Sequence, residues 1–172
     1  MSRRPIVIVF GFIGLLAAAL CLSLYPSGET KVMKENVQSV NDELVAADIR
    51  LGMGEEQLIQ LLGEGQYVEG VGGYRRDYDS IKLQAGIAGD SDHELFGRVS
   101  YLGFSNSSYS IYGIHPGVTM ELSREILRKR GFKLLTEDIY RSGEIAVSLH
   151  GEKEVESVQL WFDDKDLRDR QY

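Results

Sequence analysis

The sequence predicts an α+β fold: an N-terminal transmembrane helix followed by two tandem helix-plus-antiparallel-meander units that share one core. Three observations support this class: an apolar run near the N-terminus, an internal repeat with a period of roughly 65 residues, and strand-like alternation after each repeated helix. The predicted organisation is a membrane anchor or signal segment at 1–27, a linker or amphipathic stalk at 28–47, and an extracytoplasmic domain at 48–172 with units at about 48–112 and 113–172.

The apolar run covers residues 5–25 and follows Arg3 and Arg4. A bilayer core of ~30 Å needs roughly 20 apolar residues, and flanking basic residues tend to stay cytoplasmic. We therefore expect a single-pass protein of the cell membrane, with its N-terminus cytoplasmic and its C-terminal domain extracytoplasmic. A cleaved secretory signal, whose apolar core is normally shorter, is the alternative. Cys21 follows the bulky Leu20, which is unlike the small residue before a lipidated cysteine.

The charge balance narrows the range of partners. The chain has 19 basic and 26 acidic residues, which gives a net charge of −7. Binding to nucleic acid normally requires a surface rich in Lys and Arg, so the sequence excludes nucleic acid and also weighs against anionic lipid headgroups. Cys21 is the only cysteine, so the chain can form no intramolecular disulfide.

The repeat is clearest in two helical segments, residues 49–63 and 114–132. Each has a small or hydroxyl residue at the N-cap, acidic residues in the first turn, apolar residues at helical spacing, and a glycine at the end. The N-cap residues are Gly54 and Thr119, and the closing glycines are Gly63 and Gly131. This pattern predicts one helix at the start of each unit. Residues 31–47 also show helical spacing, typical of a stalk or of a helix that packs on the domain.

Three runs after each helix favour strands. Alternation is strictest in Ile145, Val147 and Leu149, where every second residue is apolar, as expected for a sheet with one buried face. The predicted strand runs are 66–78, 80–87 and 97–104 in the first unit, and 133–140, 144–150 and 156–162 in the second.

Residues 49–65 carry a resemblance to a known superfamily. Leu51-Gly52-Met53, Glu55-Glu56, Leu58-Ile59 and Leu61-Leu62-Gly63 are similar to the first helix of the small outer-membrane-assembly lipoproteins and the β-lactamase-inhibitor-protein-like domains. The resemblance implies helices packed on a short antiparallel sheet, two tandem units in the inhibitor-like form, and a non-catalytic binding role outside the cytoplasm. The chain departs from the lipoproteins at Leu20-Cys21 and at Gly65, where proline is usual.

Candidates for metal binding are few. The three histidines, His93, His115 and His150, have no short metal-ligand spacing. Asp90, Asp92 and Glu94 alternate along one predicted loop and could supply oxygen ligands to a cation, although the EF-hand spacing is absent. These three residues define the alternative function, a ligand- or cation-sensing extracytoplasmic domain. No cofactor is expected.

Tyrosines and arginines give the preferred function. No nucleophile elbow or phosphate-binding loop occurs in the chain, so we expect no enzyme. The predicted contact patch is Tyr74, Arg75, Arg76 and Tyr78, since tyrosine rings combine a large contact area with a polar tip and are enriched at interfaces. The sequence therefore predicts a membrane-anchored protein-interaction module with a protein partner in the cell envelope. The other tyrosines near the patch are Tyr67, Tyr101, Tyr109 and Tyr112.

Overall fold

The computed structural model describes residues 37–163. The predicted anchor at 5–25, the rest of 1–36 and the tail at 164–172 lie outside the described residues. Across residues 37–163, no helix has the length and apolar character needed to cross a bilayer.

The described chain combines short helices with a large antiparallel sheet, which confirms the α+β class. Its helical segments are α1 (residues 37–43), α2 (Glu55–Leu62) and α3 (Met120–Lys129), with one 3-10 turn at Asp79–Ile81. The strands are β1 (Leu44–Val45), β2 (Gln66–Gly70), β3 (Gly73–Tyr78), β4 (Leu83–Ala88), β5 (Val99–Phe104), β6 (Ser110–Ile111), β7 (Lys133–Thr136), β8 (Ile139–Ser142), β9 (Ile145–His150) and β10 (Ser157–Phe162).

Eight strands form one sheet in the order β2-β3-β4-β5-β10-β9-β8-β7, and β1 pairs with β6 in a separate two-stranded ladder. All neighbours in the large sheet are antiparallel. The strands β2 to β5 follow α2 in sequence, and β7 to β10 follow α3. The last strands of the two sets, β5 and β10, pair at the centre of the sheet. That the two sets are copies of one repeated unit remains a prediction.

Helix starts and ends follow the sequence signals. The side chain of Thr119 accepts a hydrogen bond from the Leu122 amide at 3.4 Å and caps α3. Gly54 has no side chain to cap α2; instead, the amide of Glu55 donates to the carbonyl of Gly97 at 3.0 Å. Gly63 and Gly131 have φ values of 81° and 86°, the left-handed region that glycine adopts without strain.

Three predicted strand runs differ from the structure. Residues 66–78 form the hairpin β2–β3, and residues 133–140 form the hairpin β7–β8, so each run is two strands. In the second run the chain turns at Glu137, whose φ is 27°. The run predicted at 80–87 starts with the 3-10 turn, and its strand begins only after Lys82, whose φ is 52°. Lys82 and Glu137 are non-glycine residues with positive φ, which give little signal in a sequence. The turn between β2 and β3 is different: it contains Gly72, with a φ of 74°, and the sequence does mark Gly72-Gly73 as a hairpin end.

The core lies on one face of the sheet. Every second residue of β4 and β10 is buried, and these side chains join those of the helices in one apolar cluster. Leu58 of α2 and Leu127 of α3 are each 0% exposed. Residues 37–44 also contribute, through Val40 and Leu44. The buried side chains of β4 and β10 are Leu83, Ala85, Ile87, Val158, Leu160 and Phe162.

The segment before β1 is fastened by polar contacts as well. The side chain of Asn41 accepts from the Leu51 amide at 2.9 Å and donates to the Leu51 carbonyl at 3.0 Å. Glu43 forms an ion pair with Arg130 at 2.9 Å. The described part of the predicted linker therefore belongs to the same packed core as the sheet.

We predict that Leu160→Ala lowers the free energy of unfolding by about 2–5 kcal/mol, because Leu160 is fully buried opposite Leu102 where β5 and β10 join. The matched control is Leu134→Ala, an exposed leucine whose replacement should cost no more than about 0.5 kcal/mol. Urea unfolding of the detergent-solubilised full chain, followed by tryptophan fluorescence, measures both values. Equal losses for the two variants would contradict a core centred on this join.

Candidate functional site

Strand β3 places the four predicted contact residues on two opposite faces of the sheet. Successive strand residues point to opposite sides, so Tyr74, Arg76 and Tyr78 share one face and Arg75 lies on the other. The pairing confirms this division, because Tyr74 and Tyr78 lie opposite the core residues Ile87 and Leu83. The four residues are therefore not one patch, which corrects the sequence-based grouping.

The three residues on the core face bind α2. The hydroxyl of Tyr74 donates to Glu55 Oε2, and Arg76 Nε donates to Glu55 Oε1 at 2.7 Å. At the other end of the helix, Arg76 Nη1 donates to the carbonyl of Glu64, and the Tyr78 hydroxyl donates to the carbonyl of Gly63 at 3.1 Å. These bonds hold both ends of α2 against β3.

Tyr74 has a perturbed acidity because of this arrangement. Desolvation by burial, then the hydrogen bond to Glu55, raises the pKa of Tyr74 to about 12. The ring of Tyr67 stacks on Tyr74 with centroids 5.0 Å apart, and the guanidinium carbon of Arg76 lies 5.9 Å from the Tyr74 ring centroid. The packing around Tyr74 thus keeps its hydroxyl protonated beside a carboxylate.

The opposite side of the sheet presents a second set of side chains, here named the open face. Its residues lie on β3, β4, β5 and β10, alternate with the buried core residues and are partly exposed. The strand registers place them side by side, with Trp161 directly opposite Tyr101. The open face consists of Arg75, Asp77, Gln84, Tyr101, Gln159 and Trp161.

Two glycines give Tyr101 room to lie across the open face. A Cβ added to Gly103 would lie 2.5 Å from the Tyr101 hydroxyl oxygen, and one added to Gly86 would lie 2.9 Å from the Tyr101 Cβ. Any larger residue at these positions would displace the ring. Burial raises the pKa of the Tyr101 hydroxyl, so this side chain is neutral at physiological pH.

The remaining features of the open face are polar and shallow. Arg75 and Asp77 form a two-bond ion pair at 2.6 and 2.9 Å, which leaves this corner without net charge. One depression of about 410 Å³ lies beside Arg75, Gly86 and Tyr101, and another of about 360 Å³ lies between Gln84 and Gln159. The surface therefore offers two aromatic rings, two amides and two depressions to a partner.

The predicted cation loop has local hydrogen bonds of its own. The Asp92 amide donates to Asp90 Oδ1 at 3.0 Å, and the Leu95 amide donates to His93 Nδ1 at 3.1 Å. Within residues 37–163, no three His, Cys, Asp or Glu side chains are grouped so that they could hold a metal ion. The cation site at Asp90, Asp92 and Glu94 therefore rests on the sequence alone.

Most of the open face was missed in the sequence. The alternation of buried and partly exposed residues in β4 and β10 indicates that each strand has one side away from the core. That side carries Gln84 in β4, and Gln159 and Trp161 in β10. That signal does not reveal which strands are neighbours, and β5 pairs with β10 across more than fifty residues of chain.

Comparisons with known proteins give limited information. No protein-family model and no curated protein matches the chain. A solved structure of an extracellular protein containing an SCP domain, from Bacillus anthracis, is similar at a TM-score of 0.48 and 15% identity, over 71% of this chain and 47% of that one. The chain thus spans about half the length of that protein. A similarity of this size defines neither the family nor the activity of the chain.

We predict that Arg76→Ala destabilises the fold by about 2–3 kcal/mol, because it leaves the partly buried Glu55 without its guanidinium partner. Arg75→Ala is the matched control one residue away. The Arg75 side chain is 39% exposed, against 12% for Arg76, so solvent screens its pair with Asp77 and the pair should contribute no more than about 1 kcal/mol. A double-mutant cycle with Glu55→Ala, measured by urea unfolding, isolates the coupling. Equal costs at Arg75 and Arg76 would refute the proposed fastening of α2.

A second prediction concerns alkaline pH. Because the pKa of Tyr74 is higher in the folded chain than in the unfolded chain, the folded chain holds the phenol proton more tightly. The stability that Tyr74 contributes in this way is complete below about pH 10 and is lost as the pH rises through about 12. The unfolding free energy of the wild type should therefore fall more steeply above pH 10 than that of Tyr74→Phe. Denaturant titrations of both chains across this range test it; parallel curves would show that Tyr74 does not titrate in this way.

Proposed function

We propose that this chain is a membrane-anchored, extracytoplasmic protein-interaction module without catalytic activity. Residues 5–25 anchor it, and the two sets of helix and strands act as tandem units of the inhibitor-like kind that share one sheet. The resemblance at residues 49–65 and the order of α2 with β2–β5 and α3 with β7–β10 support this assignment.

The observation that carries the proposal is the open face. The helices and the core cover one side of the sheet. On the other side Trp161 lies directly opposite Tyr101 on the neighbouring strand, and Gln84 and Gln159 lie beside them. Tyrosine and tryptophan are enriched among the residues that dominate binding energy at protein interfaces. A rigid sheet holds these side chains in place before binding, which lowers the entropy lost on association.

The open face also refines which predicted residues contact the partner. Arg75 lies on this face, whereas Tyr74, Arg76 and Tyr78 are engaged with α2. In this proposal Arg75 contacts the partner directly, and the other three residues maintain the fold that presents it.

The experiment is site-specific photo-crosslinking of the full-length chain in its native membrane. A photoreactive residue at Gln84 or Gln159 should give one discrete adduct with a partner protein, and the same residue at Lys153, exposed in the β9–β10 connection, should give none. Trp161→Ala should lower the Gln159 adduct at least about tenfold, as expected for a central aromatic contact.

Two controls make the result specific. A chain carrying an unrelated membrane anchor should keep the adduct if the domain itself binds the partner. The melting temperature of Trp161→Ala separates lost contact from lost folding. Adducts of equal yield at Gln159 and Lys153, or none at either open-face position, would refute the open face as the binding surface.

A further inference from the structure

A cluster of basic residues lies where α3 ends and β7 begins. Arg128, Lys129, Arg130 and Lys133 fall within six residues and are all exposed, in a chain whose net charge is −7. The negative net charge argues against binding to anionic lipid, but it does not show how the charges are distributed. These four residues, named here the basic cluster, concentrate positive charge in one place. Cations in the last turn of a helix are favoured by the helix dipole, which accounts for Arg128 and Lys129 but not for Lys133.

Neighbouring acidic side chains neutralise only part of the basic cluster. Lys129 pairs with Glu125 at 2.7 Å, and Arg130 pairs with Glu43 at 2.9 Å and lies 4.9 Å from the ring centroid of Tyr112. Among the described residues, neither Arg128 nor Lys133 forms an ion pair, although Arg128 lies close enough to Glu125 to add, after Lys129, to the lowering of the pKa of that carboxyl. These two cations remain available for an external anion.

Exposed leucines adjoin the basic cluster. Leu134 and Leu135 of β7 are 60% and 50% exposed. The register of β7 shifts at this point, a bulge that removes Leu135 from regular pairing with β8. Cations beside exposed large apolar side chains are the combination that binds a membrane interface, where the charges meet headgroups and the leucines enter the acyl boundary.

Chain connectivity brings this surface within reach of a bilayer. Eleven residues, 26–36, separate the proposed anchor from residue 37, the first residue that the structure describes, and eleven residues span at most about 40 Å. Glu43, at the end of α1, already contacts Arg130 of the basic cluster. Such a short tether keeps the local lipid concentration high, so weak attraction is sufficient for docking.

We propose that the basic cluster, together with Leu134 and Leu135, docks on an anionic lipid surface and orients the domain on its membrane. The inference rests on the anchor of the proposed function. The ligand is the phosphate-bearing headgroup layer of the bilayer, and docking is reversible because it depends on few charges.

The test uses the full chain with Cys21→Ala and an environment-sensitive fluorophore on Thr136→Cys, next to the leucines. In vesicles of phosphatidylcholine with phosphatidylglycerol, the emission should shift to the blue; in phosphatidylcholine alone it should not. Arg128→Glu with Lys133→Glu should lower the ratio of docked to undocked protein at least about twenty-five-fold, since each cation near an anionic surface contributes about a factor of five. At 1 M NaCl, where the screening length is about 3 Å, the shift should disappear.

The matched control is Lys82→Glu with Lys153→Glu, which changes the net charge equally at exposed lysines elsewhere and should keep the shift. The proposal is overturned if anionic vesicles give no shift, if neutral vesicles give the same shift, or if the control abolishes it equally. Flotation with neutral vesicles reports on the anchor separately: a chain that fails to float refutes the anchor, while the emission shift with anionic vesicles still decides the docking surface.

Discussion

The pairing of β5 with β10 is the interaction on which the rest of the structure depends. It joins two four-stranded sets into one sheet and places Leu102 opposite Leu160 at the centre of the core. Without it, each set would end in a long, apolar, unpaired edge strand, which is a site for aggregation. The same ladder sets Trp161 opposite Tyr101 on the other side, so one register determines both the packing of the core and the composition of the open face.

The sequence predicted the local elements better than their connections. The helices at 55–62 and 120–129 were identifiable because capping residues, apolar spacing and terminal glycines are all encoded within one short segment. The hairpin within 133–140 was harder to predict, because the turn at Glu137 uses a backbone conformation that is uncommon for its residue type. The order of the strands in the sheet could not be predicted from the sequence, because β5 and β10 are distant in the chain and many strand pairings are compatible with the same alternation.

The candidate site shows the same limit. Tyr74, Arg75, Arg76 and Tyr78 are neighbours in sequence, and a single strand then separates them onto two faces because its side-chain period is two. Conversely, the open face gathers Arg75, Gln84, Tyr101 and Trp161 from four strands. Gly86 and Gly103 had no evident purpose in the sequence; only the position of the Tyr101 ring explains them.

The two proposed surfaces differ in physical character, so they can work independently. The open face lies at the centre of the sheet and carries rings, amides and an internally paired Arg75–Asp77, so its recognition depends on contact area and hydrogen bonds. The basic cluster lies between the end of α3 and the start of β7, which is an edge strand, and its proposed attraction for lipid depends on charges that salt screens. In the proposed arrangement, docking at the edge leaves the central strands accessible, and we expect a rise in ionic strength to release the domain from lipid while a bound protein partner stays in place. In such a design the membrane sets the orientation of the domain and the sheet selects the partner.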